Sequence, residues 1–406
     1  MRVMLVALAP SHLVRMAATA WALRSAGHEV VVAGRLQVAE AARQVGLCGL
    51  AVPELPLDRL PPPAERPAAP VPAFTRLSAG LTEEQRQAST ARERQAERHP
   101  WEQRVRRVLD GYLEAGRRWR PDLLLCDPIE FAGAVVAGVL KVPLVLHRWG
   151  SPDSLTSEAV QRAGTVLAPL CAEHGLDDGP RTADLVLDPC PPSLQLPAAD
   201  PALPMRFVSC NGSDLLPDWA RRPSRGGRVY VAFGMFGTEA AQRGADFIRP
   251  GDLADRYREV AEALAARSGA ESVVSVPGEL RDALRGLPPR IRCVDWIPLN
   301  AVLAPQDVVV HHGGVGTAMT ACARGAVQLV LPPGHPVFLE CAAGLAARGV
   351  ARSVDADALA NRPGALADAL EDVLSAPGLR PAAADLAAEI ASLPAPAAVV
   401  RELERL

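Results

Sequence analysis

The stretch from Asp307 to Gly325, Asp-Val-Val-Val-His-His-Gly-Gly-Val-Gly-Thr-Ala-Met-Thr-Ala-Cys-Ala-Arg-Gly, constrains the fold more than any other. A short β-branched apolar run enters a glycine loop, and the loop opens a helical pattern. Gly313, Gly314 and Gly316 carry no Cβ, so the backbone there can approach a ligand closely. The helix starting near Thr317 has first-turn N–H groups with no partner of their own, and they point toward whatever lies before it. A diphosphate site is built in this way. His312 adds a side-chain donor and Thr317 a hydroxyl. Glycines alone also serve a tight strand-to-helix turn, but two histidines at the lip of a strand point to a role.

The same grammar runs through the whole chain. Strands are predicted at 2–8, 29–33, 123–126 and 143–147, with helices near 13–26, 37–45, 101–118 and 129–140. A second series has a strand at 228–233, a helix at 251–267, a strand at 271–276, a helix at 278–285 and a strand at 291–294. A helix around 300–304, the strand that runs from Asp307 into the glycine loop, a strand at 327–332 and a helix at 340–348 complete it. Alternating strands and helices indicate α/β domains with parallel sheets. At 406 residues the chain exceeds the ~250–300 at which one core stops growing. Periodicity fails between Asn211 and Arg228, so an N-terminal domain over 1–215 and a C-terminal domain over 216–390 are expected, followed by a helix within 391–406. Residues 53–100 are rich in proline and charge, and read as a loop region near a binding cleft or as an insertion without a role.

The run from His311 to Thr317, followed by Gly325-Ala-Val-Gln-Leu-Val-Leu-Pro332, resembles the donor-binding half of the nucleotide-sugar glycosyltransferases that decorate polyketides in actinobacteria. Leu187–Gln195, Asn211-Gly-Ser213 and Val145–Gly150 are similar to the branch that contains the spinosyn rhamnosyltransferase. The resemblance implies a GT-B fold: two Rossmann-like, doubly wound domains facing across a cleft, with the C-terminal helix crossing back to the N-terminal domain. It also implies inverting transfer of a 6-deoxyhexose, rhamnose first, from a dTDP-sugar to a hydroxyl of a polyketide-type aglycone. A non-catalytic helper subunit with the same fold is the alternative. A homodimer and an activator protein, as in some relatives, are both compatible with it.

Particular residues carry these expectations. His12 lies just past the first strand, where a parallel sheet presents its carboxyl ends to a crevice. With an ordinary pKa near 6.5 it can take a proton at neutral pH, and the resemblance makes it the base. Asp127, at the end of another strand, would hold its tautomer, with Glu130 as the alternative carboxylate one helical turn away. His147 and Trp149 are candidates for the acceptor pocket, or for packing against 187–195.

For the donor, the resemblance assigns His312, Gly313, Gly314, Gly316 and Thr317 to the diphosphate. Trp296 and its neighbour Ile297 are assigned to the nucleotide base, and Gly234 and Gly237 to a facing loop in which Met235 stands where relatives carry a hydroxyl. Val337 and Phe338 replace a family Asp-Gln pair that contacts sugar hydroxyls. Apolar residues there suit a deoxygenated sugar, because a buried hydroxyl without a partner costs about 1–3 kcal/mol. His335 and Glu340 are candidates to supply one remaining contact.

Several function classes drop out. A net charge of −3 leaves no basic footprint for nucleic acid. The eight cysteines are scattered, with no C-x-x-C pair for zinc or redox chemistry. Strand one runs into Ala-Pro-Ser-His, where a dinucleotide-dependent oxidoreductase would have Gly-x-Gly-x-x-Gly. No Asp-x-Asp motif marks a strand end, so no metal and no cofactor beyond the dTDP-sugar co-substrate are expected. The N-terminus reads as a core strand and not a signal peptide, and no apolar run approaches the ~20 residues of a membrane span. A cytoplasmic location follows from these readings.

Overall fold

The computed structural model describes residues 1–56, 101–152, 155–196, 199–211, 215–221, 226–234, 250–267, 269–333 and 336–406. Gly237, His335 and nearly all of the proline- and charge-rich stretch lie outside the described residues. The chain forms two compact units. The first comprises Met1–Cys190, Gln195–Arg206 and Leu393–Leu406, and the second Pro191–Leu194 and Phe207–Ser392.

The first unit is a seven-stranded parallel sheet covered by helices. Its elements are β1 (Arg2–Val6), α1 (Pro10–Ser25), β2 (Glu29–Gly34), α2 (Leu36–Gln44), β3 (Cys48–Ala51), α3 (Trp101–Trp119) and β4 (Leu123–Cys126). They are followed by α4 (Ala132–Leu140), β5 (Leu144–His147), α5 (Leu155–Glu173), β6 (Leu185–Asp188) and β7 (Leu203–Pro204). The strand order is β3-β2-β1-β4-β5-β6-β7. β4, and β1 from Val3 onward, are apolar and fully buried, as strands covered on both faces must be. They pair from Val3↔Leu123 to Val6↔Cys126. Between them the order reverses, the position at which doubly wound sheets form a crevice beyond the carboxyl ends of their strands. Pro10 stands in the first turn of α1, where its fixed φ favours a helix start and its missing N–H costs nothing. The chain therefore enters α1 three residues past β1, and His12 is set over that crevice.

The second unit repeats the plan with six strands, in the order β10-β9-β8-β11-β12-β13. It contains β8 (Arg228–Ala232), α6 (Pro250–Arg267), β9 (Glu271–Ser275), β10 (Ile291–Val294), α7 (Leu299–Val302), β11 (Val308–His311) and α8 (Val315–Arg324). β12 (Val327–Val330), α9 (Pro336–Ala347), β13 (Ala351–Ser353), α10 (Ala356–Asn361), α11 (Ala365–Ser375) and α12 (Leu379–Ser392) complete it. Its reversal lies between β8 and β11, paired from Val308↔Val229 to His311↔Ala232. The loops after those two strands carry Gly234 and His312.

Several elements differ from the expectations. β3 is a short, largely exposed edge strand with no alternation, and Pro169 inside α5 conceals that helix from a periodicity reading. The predicted helix at 278–285 is a 3₁₀ helix, Gly278–Leu284. The units divide at 206/207 and not near 215, because Asn211 accepts a hydrogen bond from the Asn300 N–H at 2.8 Å and so ties its segment to the second unit.

The run Leu379–Leu403 has the length and mean hydropathy, 1.3, of a membrane span. It consists of α12 and α13 (Pro396–Leu403), separated at 393–395 and assigned to different units. α12 buries Leu379, Ala383, Leu386 and Ile390, and α13 buries Val399, Val400 and Leu403.

Candidate active site

Within the first unit, His12 Nδ1 is hydrogen-bonded to Asp127 Oδ2. Asp127 is fully buried, whereas the His12 side chain keeps 15% of its surface exposed. The carboxylate is held from three directions: Oδ2 also accepts the Leu8 N–H at 3.2 Å, and Oδ1 accepts the Ile129 N–H at 3.0 Å. Burial pushes the Asp127 pKa upward. The charge and hydrogen bond of His12, with the two backbone N–H groups, outweigh it and leave a net lowering. An ionised Asp127 accepts from Nδ1–H, so the imidazole keeps Nε2 as its basic nitrogen. Trp149 lies against the ring, with centroids 4.6 Å apart.

Glu130, the alternative carboxylate, turns elsewhere. It is fully buried, with Arg35 Nη1 3.7 Å from Oε2. Burial raises its pKa against the opposing pull of Arg104 and Arg35. Arg104 donates to the Ile129 carbonyl at 2.7 Å, and Arg35 and Arg107 both pair with Glu54. A depression of about 450 Å³, lined by Arg35, Leu36, Gln37, Val52, Pro53 and Glu54 among others, opens at the ends of β2 and β3. This charged cluster escaped sequence reasoning because its contacts join residues as far apart as Arg35 and Glu130. A buried glutamate one helical turn past Asp127 was its only local sign.

His147 requires a correction. It has no exposed surface, its Nε2 meets Thr19 Oγ1 at 3.0 Å, and its Nδ1 donates to the Arg148 carbonyl at 2.7 Å. It is a core residue of this unit and offers an acceptor nothing. Its register explains this, since His147 faces Leu187 of β6 inside the sheet. Trp149, two residues on, is only partly buried.

In the second unit, the glycine loop follows β11. Gly313 has φ +88°, a conformation L-residues rarely adopt, and a Cβ there would lie 3.0 Å from the Phe338 carbonyl oxygen. At Gly314 a Cβ would fall 2.5 Å from His312 Nε2. The His312 ring occupies that space, with Gly234 on another side, where a Cβ would lie 3.1 Å from Cε1. Phe338 meets the ring edge-on, with centroids 5.1 Å apart, and is itself buried. Gly314 caps α8 with extended backbone and no side-chain hydrogen bond, so the N–H groups of Val315, Gly316 and Thr317 begin the helix without a side-chain cap. Gly314, Gly316 and Thr317 are partly exposed.

Trp296 is partly buried. Ile297 needs the second correction: its side chain joins the core of Tyr230, Val273, Leu299 and Val309, and its carbonyl accepts the Leu299 N–H at 2.8 Å. Val337 and Glu340 are partly buried on the first turns of α9. No group of three or more His, Cys, Asp or Glu side chains suited to a metal occurs among the described residues.

Two models of the erythromycin biosynthesis protein CIII-like family match this chain, the N-terminal domain over residues 21–234 and the C-terminal domain over 259–406. The chain belongs to that family. Among similar proteins, the TDP-daunosamine transferase of Streptomyces peucetius is 32% identical over 95% of this chain and 92% of its own. The tylactone mycaminosyltransferase of Streptomyces fradiae is 30% identical over 100% and 92%. The solved structure of the spinosyn rhamnosyltransferase superposes over the whole of both chains with a TM-score of 0.81 at 33% identity. That enzyme has also been solved with thymidine diphosphate and with the spinosyn aglycone. This member of the CIII-like family is thus a GT-B glycosyltransferase of natural-product biosynthesis.

Proposed function

We propose that the enzyme transfers a 6-deoxyhexose, with rhamnose the first candidate, from a dTDP carrier to a hydroxyl of a polyketide aglycone, with inversion and without a metal or further cofactor. The observation that carries this reading is the His12–Asp127 pair. Asp127 fixes the tautomer, so Nε2 of His12 takes the proton of the acceptor hydroxyl as its oxygen attacks the anomeric carbon. The bond from that carbon to the diphosphate oxygen breaks in the same step, and the proton remains on the imidazolium facing an ionised carboxylate. Trp149, tilted against the His12 ring, presents an aromatic face to the aglycone.

In the second unit, His312 and the opening N–H groups of α8 take the negative charge that develops on the departing diphosphate. Trp296 stacks on the base. Val337 and Phe338 leave the sugar subsite poor in hydrogen-bond partners, which supports a deoxygenated sugar. The names of two relatives support this as well. The transferase of Streptomyces galilaeus is named for 2-deoxy-L-fucose and the spinosyn enzyme for rhamnose, both with fewer hydroxyls than glucose.

The test is a competition between dTDP-rhamnose and dTDP-glucose with a polyketide aglycone, the anomer assigned by NMR and the reaction repeated with EDTA. Faster transfer from the deoxysugar donor, an inverted anomer and no effect of EDTA are expected. Retained configuration would overturn the single displacement, preference for glucose the sugar assignment, and inhibition by EDTA the metal-free mechanism.

A further inference from the structure

The other histidine of the doublet does not face the loop opening. His311 ends β11 and is fully buried, as is Gln328 on the neighbouring β12. His311 Nδ1 accepts the Gly313 N–H at 3.0 Å. That nitrogen carries no proton, so the ring hydrogen sits on Nε2, which donates to Gln328 Oε1 at 2.9 Å. The orientation of the amide follows, and Gln328 Nε2 donates to Cys322 Sγ of α8 at 3.2 Å. A chain of hydrogen bonds thus runs from the left-handed glycine to the helix whose N-terminus the loop opens.

We propose that His311 and Gln328 form a positioning relay that holds Gly313 in its left-handed conformation, and thereby presents His312 and the first N–H groups of α8 to the donor diphosphate. The relay rests on the donor reading above. His311 acts as a neutral acceptor, since a proton on Nδ1 would oppose the Gly313 N–H. Burial draws its pKa down to about 4, with Gln328 pulling weakly the other way. Beyond the amide lies the Cys322 thiol, which burial keeps protonated, pushed up to about 12, against the opposing pull of the Gln328 hydrogen bond and the charge of Arg348. His312 is the remaining titratable neighbour, on the loop itself.

Three variants test this with thymidine diphosphate as the probe. His311→Asn keeps a side-chain acceptor for the N–H two residues on, the geometry of an Asx turn, and should bind within about threefold of wild type. His311→Leu removes the acceptor and should weaken binding roughly tenfold, the equivalent of one hydrogen bond. Gln328→Leu leaves the His311 Nε2–H without its acceptor and the ring without its anchor, and should weaken binding about threefold or more. Hydrogen exchange of the peptide spanning 311–317, without nucleotide, should accelerate in His311→Leu and not in His311→Asn. If Asn fails to rescue, or Gln328→Leu binds as wild type does, the relay is overturned. Normal exchange behaviour with no nucleotide binding by the wild type would instead overturn the donor reading alone.

Discussion

Replacing Asp127 with Asn separates orientation from charge at the base. The carboxylate accepts three hydrogen bonds, from His12 Nδ1, Leu8 N–H and Ile129 N–H. An amide supplies one acceptor oxygen and one NH₂. If the NH₂ takes the Oδ2 position it opposes the Leu8 N–H and forces His12 to accept at Nδ1, moving the ring hydrogen to Nε2, where the acceptor proton must go. If it takes the Oδ1 position it opposes the Ile129 N–H, and the imidazolium formed during transfer still loses its counter-charge. Either way a buried backbone donor is stranded, at a cost of about 1–3 kcal/mol in unfolding free energy. Turnover should fall by ~10²–10⁴-fold, the range for a positioned base, while the affinity for thymidine diphosphate stays within twofold or so because the pair belongs to the other unit. Steady-state kinetics with an aglycone that the wild type glycosylates, calorimetry with the nucleotide and urea unfolding give the three quantities. An Asn variant that turns over within about threefold of wild type would refute the assignment of His12 and Asp127.

Other outcomes follow from the second unit. His312→Ala should weaken thymidine diphosphate binding by ~1.5–3 kcal/mol, as for a charge-assisted hydrogen bond. Gly314→Ala, whose Cβ would fall 2.5 Å from His312 Nε2, should approach that loss by displacing the ring, and unchanged calorimetric affinity in both would remove the ring from the donor site. The double change Val337→Asp and Phe338→Gln should shift the kcat/KM ratio from dTDP-rhamnose toward dTDP-glucose, with an equal ratio showing that these positions do not touch the sugar. Because His311 titrates near 4 when folded and near 6.5 when unfolded, the unfolded chain binds the extra proton between those values. Stability from this site is complete above about pH 6.5 and falls by roughly 3 kcal/mol on going down to pH 4. Urea unfolding of His311→Asn should show a flatter slope in that window, and an unchanged slope would contradict the buried neutral histidine.

The strands that make the two switch points were legible because β1, β4, β8 and β11 are short apolar runs bounded by glycine, proline or charge. His12 and Asp127 could each be placed at a strand end, but their contact depends on β1 and β4 being neighbours, which a linear reading does not give. The histidine doublet shows the limit. Adjacent residues leave a strand on opposite sides, so one of the pair turns into the core. Gln328, polar within Val-Gln-Leu-Val, was the visible sign that something buried there needed a partner. His147 misled because a polar residue at a strand end suggests a binding edge, whereas Thr19 of α1 already satisfies it inside the core. Ile297 was drawn into the site by its neighbour Trp296, although its own apolar side chain belongs to the core with Tyr230, Val273 and Val309.

The return of α13 to the first unit limits how members of this family can be recombined. Residues 393–406 pack with α1, the helix that carries His12. His28 Nε2 meets Glu404 at 3.0 Å, and the Pro394 carbonyl accepts the Arg206 N–H at 2.7 Å. A donor-specificity graft is therefore an internal cassette, 207–392, with the tail left native. A chimera joined once near residue 206 and carrying a foreign C-terminus would import a mismatched surface against the helix that carries its own His12. It should lose turnover even where the new nucleotide site binds normally.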